Sequence, residues 1–248
     1  MNSLSPSSST PLSSEPYETM MINQEELPLQ ASLVARPVWL TVEAFQFAVK
    51  RMIDIVGALT GLLFLAPVML AVALLIHLKM PGPILFRQLR RGYRGRLFWV
   101  IKFRTMVVDA EQKLDKLESA NESGGGVLFK IQNDPRITPL GRFLRRSSLD
   151  ELPQLINVLR GEMSLVGPRP LQIRDSERLQ SLNPEAYRRR LQVVPGLTGP
   201  WQVGGRSAVD YSQMLTLDLD YIDNWSLGRD LWIILRTFVV VLAGRGAC

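Results

Sequence analysis

One cysteine and one histidine are all that 248 residues supply of the side chains most used for metal binding and proton transfer. With Cys248 alone, an intrachain disulfide is impossible and the thiolate sets of zinc sites are missing. His77 lies inside an apolar run, which argues against Ser-His-Asp catalysis and histidine-rich metal sites and makes it an interfacial residue. A phosphate loop is missing too. The cluster "SGGG" at 123–126 has no Lys-Ser/Thr ending and opens no helical pattern, so it reads as a mobile linker. Residues 1–30 have few large apolar groups and lack the basic-then-apolar order of a secretory signal. Rich in Ser, Pro and Thr, they predict a disordered tail over 1–37. Chemistry in this chain falls to carboxylates, lysines and arginines.

Those charges are unevenly placed. The formal net charge is +6. Residues 1–49 carry Glu15, Glu18, Glu25, Glu26 and Glu43 against Arg36, a net −4, which leaves +10 for residues 50–248. Such an excess predicts anionic partners: nucleic acid, anionic lipid or phosphorylated substrates. The length allows one or two domains with a sizeable core.

A long charge-free run selects among those partners. Residues 55–78, "IVGALTGLLFLAPVMLAVALLIHL", are 24 residues without a formal charge, enough to cross a bilayer as one helix. Two features weigh against a simple span. Pro67 sits mid-segment, where it removes a helical hydrogen bond and forces a kink or break. Both flanks are basic, Lys50 and Arg51 before, Lys79, Arg87, Arg90 and Arg91 after, whereas a span wants asymmetry. Two arms of about a dozen residues, rising roughly 1.5 Å each, reach only about 17–18 Å deep. A segment that enters, turns at Pro67 and leaves by the same face satisfies these features better than a span. A buried soluble helix fits worst. Residues 38–49 add a short interfacial helix, and "WSLGRDLWIILRTFVVVL" at 225–242 an amphipathic helix for the membrane face.

After "PGP" at 81–83 the pattern changes to two strands over 84–104, joined by a glycine-containing turn at 91–95. Arg90, Arg91, Arg94 and Arg96 make that turn densely cationic, as a hairpin held at an anionic membrane surface would be. Lys102 and Arg104 leave the hairpin at its far end. Val107, Ala110, Leu114 and Leu117 then fall at helical spacing over 106–120.

The stretch "SSLDELPQL" at 147–155 sets Asp150 beside Glu151 just behind Arg142, Arg145 and Arg146. Two readings compete here. Ser148 and Glu151 have the spacing of a capping box, and Pro153 belongs near a helix start, so the acids can simply open a helix. Its apolar stripe would be Leu152, Leu155, Ile156 and Leu159. Alternatively the acid pair is chemical, and Lys102, Arg104, Arg145 and Arg169 are its anion binders. Arg169 stands in a "GPRP" loop whose prolines limit the backbone.

The segments "KRMID", "PGPILFRQ", "IKFRTM", "DPRITPLGRFLRRSSLDELPQLINVLRGEMSLVGPRP" and "VVPGLTGPWQVGGR" resemble, in this order, the bacterial sugar transferase family. These are the monotopic phosphoglycosyl transferases that begin membrane glycan assembly. The resemblance runs from Lys50 to Leu242 and matches the small, catalytic-domain form, without the N-terminal transmembrane bundle of larger members. The "GRGAC" ending and the tail are similar to members that transfer galactose-1-phosphate or glucose-1-phosphate for exopolysaccharide.

The resemblance implies an α+β, mainly helical, monotopic membrane protein with a Pro-broken re-entrant helix, a small β-hairpin and interfacial amphipathic helices. Its parts would be a disordered tail (1–37), an interfacial and re-entrant segment (38–82) and a catalytic domain (83–248) on the cytoplasmic face of the bacterial inner membrane. Some members carry Ser before the helix-breaking proline; Ala66 stands there here, so the break rests on Pro67 alone. The implied reaction moves a sugar-1-phosphate from a UDP-sugar to undecaprenyl phosphate, releasing UMP. Asp150 would be the nucleophile, forming a covalent aspartyl phosphosugar. Glu151 would assist with metal or proton handling, and Mg²⁺ would bridge Asp150, Glu151 and the pyrophosphate. Lys102, Arg145 and Arg169 fall at the family's phosphate-binding cations, and a helix start also suits a phosphate. Partners would be membrane lipids and both substrates, with room for downstream glycosyltransferases and for self-association.

Two other classes are weaker. A nucleic-acid-binding protein would explain the arginines but not 24 uncharged residues, and no recognition motif appears. A non-catalytic basic lipid-binding scaffold gives no reason for Asp150 and Glu151 among cations. Within enzymes, the Asp-Gly/Ala-Arg signature of CDP-alcohol phosphatidyltransferases is not found, and polytopic sugar-phosphate transferases need many more spans.

Overall fold

The computed structural model describes residues 38–113, 131, 134–205 and 211–243. The expected tail, the "SGGG" linker and most of the helix expected over 106–120 lie outside them. Of that helix, 108–113 is a series of turns and Met106 bridges Ile137 instead.

The apolar run forms α1 (Val38–Lys79), 42 residues that absorb the expected interfacial helix and the membrane segment into one element. Pro67 lies inside it, with helical residues on both sides. The break expected at Pro67 is corrected to a proline carried inside one helix, which costs a hydrogen bond without ending the element. α1 is fastened to the rest of the protein at both ends. At the first, Lys50 donates to Val166 O and Asp230, Arg51 donates to the carbonyls of Val158 and Leu159, and Asp54 accepts from Ser164 and the Leu165 N–H. At the second, Arg104 donates to the carbonyls of Met80 and Pro81.

Two apolar clusters lie between these ends. Ala58 and Leu62 pack with Phe98, Val100, Leu155, Val158 and Met163. Met69, Val72, Ala73, Ile76 and Met80 pack with Phe103, Leu144 and Leu149. Each large side chain buried this way contributes roughly 1.5–3 kcal/mol to the attachment. Contact lapses around the proline. Leu63, Phe64, Ala66, Pro67 and Val68 are all exposed, Phe64 by 74%.

The hairpin is present as β1 (Leu85–Arg91) and β2 (Leu97–Phe103), antiparallel, with a short 3-10 turn at Tyr93–Gly95. β4 (Leu171–Gln172) pairs with the other side of β1. β3 (Ser164–Val166) and β5 (Gly196–Thr198) form a separate parallel pair. Around these stand α2 (Pro139–Arg146), α3 (Leu155–Arg160), α4 (Ile173–Leu182), α5 (Pro184–Arg190), α6 (Pro200–Gly204), α7 (Tyr211–Asp223) and α8 (Leu227–Leu242). Thr138 caps α2 by accepting from the Gly141 N–H. Gly161, at φ 80°, ends α3 in the left-handed conformation that glycine adopts without penalty. α8 is amphipathic as expected: Ile233 and Asp230 are buried, while Leu231, Trp232, Leu235 and Phe238 are exposed.

Candidate active site

The acid pair does not open an ordinary capped helix. Leu149–Gln154 is a 3-10 segment that runs directly into α3. Ser148 stands before it at φ 57° and its side chain makes no capping bond, so the capping box is not formed. A left-handed non-glycine residue costs roughly 1–2 kcal/mol, and here it turns the chain sharply between α2 and the acids. Leu149 belongs to the cluster on the second arm of α1, and Leu155 to the cluster on the first. The segment bearing the acids therefore straddles the membrane helix.

Three of the four expected cations meet the pair. Lys102, near the end of β2, donates to Glu151 Oε1 at 2.9 Å. Arg169 donates to the same oxygen at 2.6 Å and to Oε2 at 3.3 Å. Arg145 is set by Thr105, whose hydroxyl accepts from its Nε at 2.9 Å, and its charge acts on Asp150. Gly141 makes that placement possible. A Cβ there would lie 1.9 Å from the Thr105 carbonyl oxygen, so only glycine lets α2 come this close.

Arg104 is elsewhere. It is buried, and its guanidinium is spent on the carbonyls of Met80 and Pro81 at the end of α1. The expectation that it binds phosphate beside the acids is corrected to a fastening of the membrane helix. A second correction concerns Arg90, read above as part of a cationic surface. Phe86, Gln88 and Arg90 form the less exposed side of β1, and Arg90 is buried, donating to Pro170 O. The two-residue alternation of the strand carried that signal. Arg94 and Arg96 are exposed, as expected of the turn.

The two carboxylates differ in state. Burial pushes Glu151 up, but Arg169 and Lys102 outweigh it and hold the carboxyl well below the usual range. Asp150 is 7% exposed and, among the described residues, receives no hydrogen bond. Burial, then the charge of Glu151, push it up to about 6 against Lys102, Arg145 and Arg169. Burial lowers Lys102 to about 8, with Glu151 opposing. The site thus presents one ionised carboxylate held by two cations beside one whose oxygens accept no hydrogen bond from another side chain among the described residues. Such a carboxylate is a competent phosphoryl acceptor when cations neutralise the phosphate.

The residues also fit Mg²⁺, on limited terms. Among the described residues no group of three or more His, Cys, Asp or Glu could hold a metal. Mg²⁺ is commonly bound by one or two carboxylates plus substrate phosphates and waters, and Asp150 can be one. Glu151 is committed to its two cations.

The profile of the bacterial sugar transferase family matches residues 45–244. The chain belongs to this family. Among its relatives, the galactosyl transferase CpsE of Streptococcus agalactiae is 46% identical over 199 residues, 80% of this chain but 43% of CpsE. The UDP-glucose:undecaprenyl-phosphate glucose-1-phosphate transferase of Caulobacter vibrioides is 45% identical, covering 80% of this chain and 71% of its own length. The exopolysaccharide production protein ExoY of Rhizobium meliloti is 39% identical, covering 80% and 87%. The chain spans less than half of CpsE and most of ExoY.

Proposed function

We propose that this chain transfers a hexose-1-phosphate from a UDP-sugar to undecaprenyl phosphate, releasing UMP, as the first membrane step of an exopolysaccharide or related surface glycan. The observation that carries this reading is the buried carboxylate of Asp150, unpaired among the described residues, beside a Glu151 that holds Lys102 and Arg169 at the same spot. The names of the relatives, which include galactose and glucose phosphotransferases acting on undecaprenyl phosphate, supply the substrate class.

In the first step an Asp150 oxygen attacks the sugar-bearing phosphorus. A new O–P bond forms, the bond to the bridging pyrophosphate oxygen breaks, and its electron pair leaves on UMP. In the second step an oxygen of undecaprenyl phosphate attacks the same phosphorus, and Asp150 departs as the free carboxylate. Lys102, Arg145 and Arg169 neutralise the phosphate oxygens as charge moves. Glu151 holds Lys102 and Arg169 in place before the donor arrives and gives them up to its phosphates. Mg²⁺, held by Asp150 and the pyrophosphate, would supply further neutralisation.

The same reading puts the protein on the cytoplasmic face of the bacterial inner membrane, where the prenyl phosphate meets UDP-sugars. Both ends of α1 bind one domain, which supports entry and exit by the same face. The exposed stretch around Pro67 is then the buried apex in the bilayer. A panel of UDP-sugars with undecaprenyl phosphate and Mg²⁺, scored by UMP release, tests the reading. Release from at least one hexose donor is expected. Membrane binding without release from any donor would instead make the chain a basic lipid-binding scaffold.

A further inference from the structure

The loop that carries Arg169 has unusual hydrogen-bonding needs. Pro168 and Pro170 have no N–H, so apart from the single N–H of Arg169 the carbonyls of residues 168, 169 and 170 are the handles by which the backbone can be held. Each is taken. Pro168 O accepts from the Gly196 N–H at 2.9 Å. Arg169 O accepts from Arg190 Nη2 at 2.6 Å, and Pro170 O from Arg90 Nη1. Both guanidinium groups come from buried arginines, and among the described residues neither donates to the acid pair.

Arg90 and Arg190 are themselves held from outside the loop. The pairing of β1 with β4 sets Arg90 opposite Gln172, and Gln88 Oε1 accepts from its other terminal nitrogen at 2.7 Å. Arg190 ends α5 and pairs with Asp218 of α7, which is completely buried. Burying an arginine is expensive, and a backbone carbonyl repays less than a carboxylate does. Among the described residues Arg90 has no ion-pair partner, and its guanidinium is spent on Pro170 O and the Gln88 side chain. What that expense secures is the position of the loop between Gly167 and Leu171. From that loop Arg169 reaches Glu151 through both terminal nitrogens.

We infer that Arg90 and Arg190 are positioning residues for the transfer reaction, gripping the backbone on Arg169 and just after it so that its guanidinium meets Glu151 and the donor phosphates. The inference rests on the proposed function for its kinetic consequence and on geometry alone for its structural one.

A double-mutant cycle separates positioning from plain stability. Arg90→Met is expected to lower kcat for UMP release by ten- to a hundred-fold. In an Arg169→Ala background the same change should cost less than about threefold, because the residue it aims is gone. Arg90→Lys, which keeps one donor for Pro170 O, should recover most of the rate, and Arg190→Lys should behave alike. Equal losses in both backgrounds would overturn the inference while leaving the proposed function standing. A second readout needs no activity. Phenylglyoxal modification mapped by peptide mass should show Arg169 reacting several-fold faster in Arg90→Met than in wild type, with the other arginines unchanged. Unchanged reactivity at Arg169, or a rise at every arginine, contradicts the inference whether or not the wild type proves to be a transferase.

Discussion

Glu151 is gripped by Arg169 through both carboxylate oxygens, at 2.6 and 3.3 Å, and shares the nearer one with Lys102. Its neighbour Asp150, more deeply buried, has no such partner among the described residues. Adjacent acids are thus divided into a carboxylate fixed by two cations and one without such a grip. The division is electrostatic: two cations spent on one carboxylate leave the other to feel its negative charge. Pairs of acids pushed apart in this way are a recurring means of assigning different roles to chemically similar groups.

The pH dependence follows from that division. Attack requires ionised Asp150, whose carboxyl is pushed up to about 6, so UMP release should fall roughly tenfold per unit below that value. Lys102, lowered to about 8, should lose its charge on the basic side and weaken phosphate binding. A bell with limbs near those two values is expected in the pH–rate profile. Lys102→Arg should abolish the basic limb, because arginine stays charged.

Stability should run against activity at Asp150. Its carboxyl is raised above its unfolded value, so the folded state favours the protonated form. The penalty for charging it is present above about 6 and is relieved as the pH falls through about 6 toward 4. Asp150→Asn removes the charge and should stabilise the protein at neutral pH by about 1–2 kcal/mol, read as a higher Tm in detergent or nanodiscs. The gain should vanish near pH 4.

For α1, both ends should face the cytoplasm. In a Cys248→Ser background, single cysteines at Ala48 and Lys79, both exposed, should react with an impermeant maleimide only when the cytoplasmic side is open. Reaction of either from the periplasm would make α1 a span. Pro67→Leu, which returns the missing hydrogen bond, should shift a measurable fraction toward spanning.

Gly141→Ala should act on the site from a distance. The added Cβ would sit 1.9 Å from the Thr105 carbonyl oxygen, a backbone atom with little room to yield. α2 must move, carrying Arg145 off Thr105. A loss of at least tenfold in kcat/KM is expected, with a stability loss of roughly 1–3 kcal/mol for overpacking.

Much of this arrangement was legible in the sequence because it is local. The strand alternation and glycine turn predicted the hairpin, and the charge-free run predicted the membrane helix. The acid pair with Lys102, Arg145 and Arg169 followed from charge types and motif order. What was illegible depends on long-range packing. Arg104 looks like another cation beside Lys102, and nothing nearby in sequence says that it faces the end of α1, 24 residues earlier. Ser148 and Glu151 have a capping box's spacing, but Arg169 and Lys102 take the glutamate from 18 and 49 positions away. The buried Arg190–Asp218 pair joins two helices whose approach no periodicity announces.

The most direct test of the mechanism is the mass of the Asp150 peptide after incubation with donor alone. Wild type with a UDP-hexose, Mg²⁺ and no undecaprenyl phosphate should release UMP and retain a phosphohexose on that peptide. Asp150→Asn, folded and membrane-bound, should retain none and lose turnover by several orders of magnitude. An Asp150→Asn protein that still turns over the donor, or a wild-type adduct on another residue, would contradict Asp150 as the nucleophile.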